Sequence, residues 1–221
     1  MMWQAVFLSL KVSALATICA LPLAIWVAHI LARKRFRGHG LLNGLVHLPL
    51  VLPPVVTGYL LLIVFGKQGA VGGFLFDVFG ITLAFRWTGA ALAAGIMGFP
   101  LMVRAIRLGF EVVDAGLEDA ARTLGASNAR VFGTVTLPLV MPAILAGAVL
   151  GFAKALGEFG ATITFVAAIP GQTQTIPSAI YGLLQVPNQE GDVIVLVCIS
   201  VALAMGALVA SEWLARRMVT R

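Results

Sequence analysis

Charged residues are scarce in this chain, so the few that fall close together define where its chemistry can lie. Glu118, Asp119 and Arg122 crowd into five residues. Glu118 precedes Arg122 by four, the order that favours an ion pair on a helix surface. Lys154 and Glu158 repeat the i, i+4 spacing at the end of an apolar run. Ionisable groups placed there are either a self-neutralising pair or part of a pathway. The three histidines, His29, His39 and His47, do not cluster as metal ligands. No Gly-x-x-x-x-Gly-Lys-[Ser/Thr] run is present to cradle a nucleotide phosphate. The residues therefore point to ion pairing. They do not point to catalysis, and the chain is expected to hydrolyse no ATP alone.

The first group needs a helix to hold it. Val113, Leu117, Ala120, Ala121 and Leu124 recur at helical spacing. Asp114, Glu118 and Asp119 occupy the other side of the early turns, where acids suit a helix N-terminal half. Gly125 can supply the left-handed residue that ends such a helix, and Ser127 can cap a second short one. The loop 111–131 is thus a structured amphipathic element, suited either to resting on a membrane surface or to being held by a partner.

What surrounds the loop is too apolar for a soluble domain. Of 221 residues 60% are apolar and 11% charged, with mean hydropathy +1.02, against ~25% charged in soluble domains. Runs free of Asp, Glu, Lys and Arg span Val12–Ala32, Gly38–Gly66, Trp87–Val103, Val131–Ala153 and Val193–Ser211, near the ~20 residues a bilayer crossing needs. No ~10-residue alternation typical of a β-barrel appears. The chain is expected to be an all-α polytopic membrane protein with about five spans, at 5–32, 41–66, 87–110, 132–155 and 192–215. Residues 1–221 form one domain in this reading, and the first span is retained rather than cleaved. Cys19 and Cys198 read as small buried hydrophobes.

Basic residues orient the spans. Arg33, Lys34, Arg35 and Arg37, then Arg104, Arg107, Arg122 and Arg130, then Arg216, Arg217 and Arg221 place eleven of the 15 basic residues on one side, against five acids. The whole net charge of +6 lies there. Topology thus explains the positive charge, and no nucleic acid is implied. This side is the cytoplasm, with the N-terminus outside and the C-terminus inside. Residues 159–189 are also charge-free but broken by Ile169-Pro170-Gly171 and Ile176-Pro177. They read as an outer, partly re-entrant segment packed within the protein, since a sixth span would move the Arg-rich tail outside. Pro49, Pro53, Pro54, Pro100, Pro138 and Pro142 each remove a helix hydrogen bond. They mark ordinary membrane-helix irregularity or, around Pro53 and Pro54, a pathway that changes shape.

Asp119-Ala120-Ala121, then Gly125, then Val135-Thr136-Leu137-Pro138 resemble the cytoplasmic loop of ABC importer permeases, with Asp for the usual Glu and Val for the usual Ile. His47–Val56, Phe99–Arg107, Gly157–Phe165 and Ile169–Ala179 are similar to the molybdate branch of that family. Sulfate permeases, which share the Gly157-Glu158-Phe159-Gly160 element, are the alternative. The resemblance implies a type I ABC importer transmembrane domain in the bacterial cytoplasmic (inner) membrane. It implies a second copy of the permease, two ABC ATPase subunits holding ATP and Mg, and an external oxyanion-binding protein. It gives Glu118, Asp119, Ala120, Ala121, Gly125 and Pro138 to a coupling helix that docks on the ATPase. Pro53, Pro54, Lys154, Glu158, Phe159 and Gly160 are the candidate gate or pathway. This chain is expected to hold no cofactor or metal itself. A secondary transporter or channel, for which inverted repeats would speak, and a membrane scaffold are the competing classes; no persuasive repeat is visible.

Overall fold

The computed structural model describes residues 2–219; Arg221 of the basic tail lies outside them. The described chain is helical, with elements α1 (Met2–Arg33), α2 (His39–Val51), α3 (Pro54–Phe65), α4 (Ala70–Phe79), α5 (Trp87–Val112), α6 (Ala115–Thr123), α7 (Asn128–Val131), a π-helical turn (Phe132–Thr136), α8 (Leu137–Leu156), α9 (Gly160–Val166), α10 (Ile176–Leu183) and α11 (Glu190–Val219). Four helices are long and apolar enough to cross a membrane, or five if the bent α2–α3 pair counts as one crossing.

Small residues bring the central helices together. α5 is the most buried long helix and packs between α1 and α8. Ala90, Ala91, Ala93 and Ala94 of α5 meet Val12 and Ala16 of α1 in one core. Gly98 lies so close to α8 that a Cβ on it would stand 3.0 Å from the Gly151 carbonyl oxygen. Lipid is as apolar as leucine, so close backbone approach and van der Waals packing take over the role of hydrophobic burial between such helices. A second core, with Met102, Val103, Ile106 and Phe110 of α5 and Ala24, Ala28 and Leu31 of α1, fills the end toward α6.

The second expected span is broken at its prolines. Residues 41–66 do not form one continuous helix: α2 and α3 meet at 113°. Leu52 adopts an extended backbone, φ −70° and ψ 144°, as a residue preceding proline favours. Pro53 and Pro54 then supply no N–H to continue the ladder. Each half is 12 or 13 residues long, too short for a straight crossing alone. The cysteines need correction. Cys19 and Cys198 are exposed on the helix surface, because an apolar run does not distinguish a residue facing lipid from one facing the core.

The segment after α8 holds only short helices, seven residues in α9 and eight in α10. Between them Ala167 has φ 60°, a strained value for a residue with a side chain. Buried Thr173 holds this turn: its hydroxyl accepts from Ile169 N–H at 2.9 Å and lies 3.1 Å from the Ala167 carbonyl. The N-terminus of α10 is tied to α1 by Ile176 N–H donating to Ser9 Oγ at 2.7 Å.

Candidate functional site

The polar loop is built around one buried carboxylate. Asp114 caps α6 by accepting from Gly116 N–H at 2.8 Å. Gly125 ends that helix in the left-handed region at φ 86°, and Ala126 N–H reaches back to the Ala121 carbonyl at 3.1 Å, a helix-ending pattern glycine permits. Ser127 caps α7 through Arg130 N–H. The expected stop at Gly125 and cap at Ser127 thus occur, while Asp114, expected within the early turns, is instead the residue that caps α6.

Which face turns inward is the reverse of the usual amphipathic arrangement. Glu118 is buried, while Leu117 is 51% and Leu124 89% exposed. Ala120 is exposed and Ala121 half-buried. Glu118 does pair with Arg122 as its spacing suggests, but it does so from a buried position rather than on the surface. Its Oε1 accepts from Thr136 Oγ1 at 2.7 Å and from Arg33 Nη2 at 3.2 Å, while Arg122 stands 3.6 Å from Oε2. A carboxylate can be buried only with such partners. Arg33 also donates to the Val113 carbonyl at 3.1 Å. One acid thus joins α6 to the end of α1 and the turn that leads into α8, and through Arg33 to the end of α5. Asp119, its neighbour, is exposed and pairs with Arg122 at 2.6 Å, and Arg122 Nε reaches Asn128 across Gly125.

Arg33 and Thr136 are site residues that sequence reasoning missed. Arg33 counts in the sequence only as one of four cations in a linker. Thr136 sits two residues before Pro138, inside the motif itself, and its hydroxyl was the available signal. Pro138 lies in the first turn of α8, and the helix before it widens into the π turn, where Leu137 N–H bonds back to the Phe132 carbonyl. Such turns recur at functional sites. Phe132 packs edge-on to His29, and His29 edge-on to Phe110, with centroids 5.3 and 5.0 Å apart. This aromatic stack holds the same turn against α1 and α5.

The other candidate residues gather at the opposite end of α8, some 30 Å away over 20 residues. Lys154 Nζ stands 2.6 Å from Glu158 Oε2. Glu158 is almost fully buried, and its other oxygen accepts from Ala161 N–H at 3.0 Å. Gly160 then meets the proline break: a Cβ on it would lie 2.7 Å from Pro54 Cβ. On the same contact, a Cβ on Gly58 would be 2.5 Å from the Ala161 carbonyl oxygen and 2.9 Å from its Cα. Phe159 packs on Tyr181 of α10 with ring centroids 5.1 Å apart. The structure therefore brings Pro54, Glu158, Phe159 and Gly160 into one cluster. Pro53 is exposed at the bend beside it. Among the described residues no group of three His, Cys, Asp or Glu could hold a metal.

Residues 20–220 match the family model described as binding-protein-dependent transport system inner membrane component. The chain is 61% identical to the molybdenum transport system permease protein ModB of Escherichia coli K12, over 97% of this chain and 93% of that protein. It is 54% identical to the protein of the same name from Haemophilus influenzae, over 97% and 94%. The fold is also that of one chain in the crystal structure of a bacterial alginate ABC transporter in complex with an alginate-pentasaccharide-bound periplasmic protein. That likeness has a TM-score of 0.74 and 17% identity, over 97% of this chain and 78% of that one.

Proposed function

The chain belongs to the family of binding-protein-dependent transport system inner membrane components, and from that membership we propose that it is the permease subunit of an ATP-driven importer of molybdate. The observation that carries the cargo is the 61% identity to a molybdenum permease along nearly the whole chain. Cargo and tungstate, its close chemical analogue, are moved by alternating access through a pore formed by two copies of the permease. The N-terminus lies outside and the C-terminus in the cytoplasm. An external binding protein delivers the oxyanion, and ATP with Mg is held and hydrolysed by two separate ATPase subunits.

The geometry of α6 supports its role as the coupling helix. Leu117 and Leu124 leave an apolar face that no described residue covers, and an exposed apolar patch marks an interaction surface. Glu118, on the inward side, links that helix directly to the end of α1 and to the turn before α8, and through Arg33 to the end of α5. A push on α6 from an ATPase is therefore delivered to α1, α5 and α8 together. At the far end, the Pro54–Gly160 contact and the Lys154–Glu158 pair are the gate region that answers it. Pairing leaves Lys154 with little net field, so an anion is guided without being trapped.

Uptake by the reconstituted complex, with radiolabelled molybdate challenged by tungstate and sulfate, tests the cargo. Molybdate and tungstate are expected to compete with each other and sulfate only weakly. Preferred uptake of sulfate would replace the cargo while leaving the family unchanged. Leu117→Ser with Leu124→Ser is expected to release the ATPase subunits on purification with the loop fold intact. Retention of both subunits and full uptake would refute α6 as the docking helix.

A further inference from the structure

Two openings follow one another along the seam where α1, α2 and α5 meet. The first is an apolar groove of about 650 Å³, walled by Cys19, Leu23 and Val27 of α1, Leu42 and Leu45 of α2 and Phe99 of α5. The second is a polar cavity of about 620 Å³ that takes in Lys34 and Arg35 just after α1, His39 at the start of α2, and Arg107 and Glu111 of α5. All three helices set the two in the same order. Cys19, Leu23, Val27 and Leu31 keep an i, i+4 spacing, so one face of α1 walls the groove and then reaches the cavity. The step from Leu42 to His39 is three positions on α2, and that from Phe99 to Arg107 is eight on α5, ~5 and ~12 Å.

Depth fixes what each opening faces. Val27 and Cys19 precede Arg33 by six and 14 positions on one helix, ~9 and ~21 Å along its axis. The polar interface is ~5 Å thick or more and each half of the hydrocarbon core ~15 Å. That stretch of groove therefore lies at acyl-chain depth beneath a charged rim. Its walls stand open: Leu23 and Leu45 are 53% and 59% exposed, and Cys19 is exposed as well. At the rim, Arg107 is neutralised by Glu111 at 2.7 Å and also donates to Asn43 at 3.1 Å. Neither Lys34 nor Arg35 forms an ion pair among the described residues, so the cavity keeps the charge of both.

A second copy does not answer this pattern. Two copies related by an axis along the membrane normal meet at equal depth, which brings another cationic linker to the rim instead of an anion. We propose that the seam binds one anionic phospholipid, with its phosphate at Lys34 and Arg35 and an acyl chain along the groove from Val27 to Cys19. Basic pockets between membrane helices select such headgroups. Free phosphate would occupy the rim alone and leave the groove without a role. Assignment to the inner leaflet rests on the cytoplasmic placement of the 33–37 linker proposed above; the site itself does not, and binding in detergent is read independently of it.

The test is native mass spectrometry of the full-length chain, purified with its co-expressed subunits, delipidated and titrated with phosphatidylglycerol or phosphatidylcholine. Wild type is expected to prefer phosphatidylglycerol. Lys34→Gln with Arg35→Gln is expected to weaken that binding roughly thirtyfold, and Lys34→Arg with Arg35→Lys to restore it. If the neutral pair does not assemble, Arg35→Gln alone is expected to weaken binding about fivefold. Leu23→p-benzoylphenylalanine puts a photocrosslinker in the groove. In vesicles of both lipids it is expected to capture phosphatidylglycerol beyond its share of the mixture, and neutralising Lys34 and Arg35 to remove the excess. Unchanged phosphatidylglycerol affinity in the neutral variants overturns the proposal. Crosslinking to a second copy instead of lipid overturns it too, by showing what covers the groove. So does displacement of the lipid by millimolar inorganic phosphate at constant ionic strength, which would show a free-anion site.

Discussion

Replacing Glu118 by alanine should loosen the α6 loop far more than replacing Asp119, its exposed neighbour. The magnitudes follow from the partners. The Thr136 hydroxyl bond to the carboxylate, at 2.7 Å, is of the charged class worth ~1.5–3 kcal/mol. The Arg33 leg, between side chains 22% and 10% exposed, is partly screened and adds about 1 kcal/mol. The Arg122 leg, at 3.6 Å from a side chain 44% exposed, adds at most a few tenths. Glu118→Ala should therefore cost about 3 kcal/mol locally. Asp119 is 71% exposed and its pair with Arg122 is a surface one, so Asp119→Ala should cost under ~1 kcal/mol. A subunit in a membrane complex does not melt as a two-state domain, so local opening is the quantity to measure. Hydrogen exchange of amides 115–123 should speed up roughly a hundredfold in Glu118→Ala and less than about fivefold in Asp119→Ala. Glu118→Gln, which keeps the shape and one acceptor oxygen, should fall between them. Equal effects at the two positions, or a larger one at Asp119, would refute the account of Glu118 as the anchor.

Two further substitutions probe the far end. Lys154→Ala should leave the buried Glu158 carboxylate with only the Ala161 N–H, costing ~3 kcal/mol and slowing uptake. Glu158→Gln in the same chain should recover most of the stability, as a double-mutant cycle on melting of the purified complex would show; unchanged uptake in Lys154→Ala would remove the pair from the gate. Gly58→Ala puts a Cβ against backbone of α9 rather than against a side chain that could turn aside, so a loss of ~1–3 kcal/mol and a lower melting temperature are expected. Wild-type melting would mean that α3 and α9 separate freely.

Much of this was legible along the chain because it depends on local pattern. Four apolar runs became the long helices α1, α5, α8 and α11. The acidic, alanine and glycine residues of 114–125 became a capped helix with Gly125 in the left-handed region. Pro53 and Pro54 announced a disturbance in the second run, although not its 113° angle, since proline removes the hydrogen bond but packing of α3 on α9 sets the direction. The ion pair that the spacing of Glu118 and Arg122 predicts forms, at 3.6 Å, but sequence distance cannot say that Arg33, 85 positions earlier, shares the same carboxylate.

Composition and periodicity by themselves determined that the chain is a helical membrane protein, how its charge divides, and where its one amphipathic loop lies. These follow from transfer of side chains into lipid and from the 3.6-residue repeat, which act on neighbours in sequence. Only the tertiary structure decided that the acid of that loop faces inward and its leucines outward. Only it joined Gly160 to Pro54 and set Lys11 over the Trp87 ring. Those outcomes depend on which helices come close enough for backbones to touch, and membrane burial, equally satisfied by lipid or protein, leaves no trace of that choice in hydropathy.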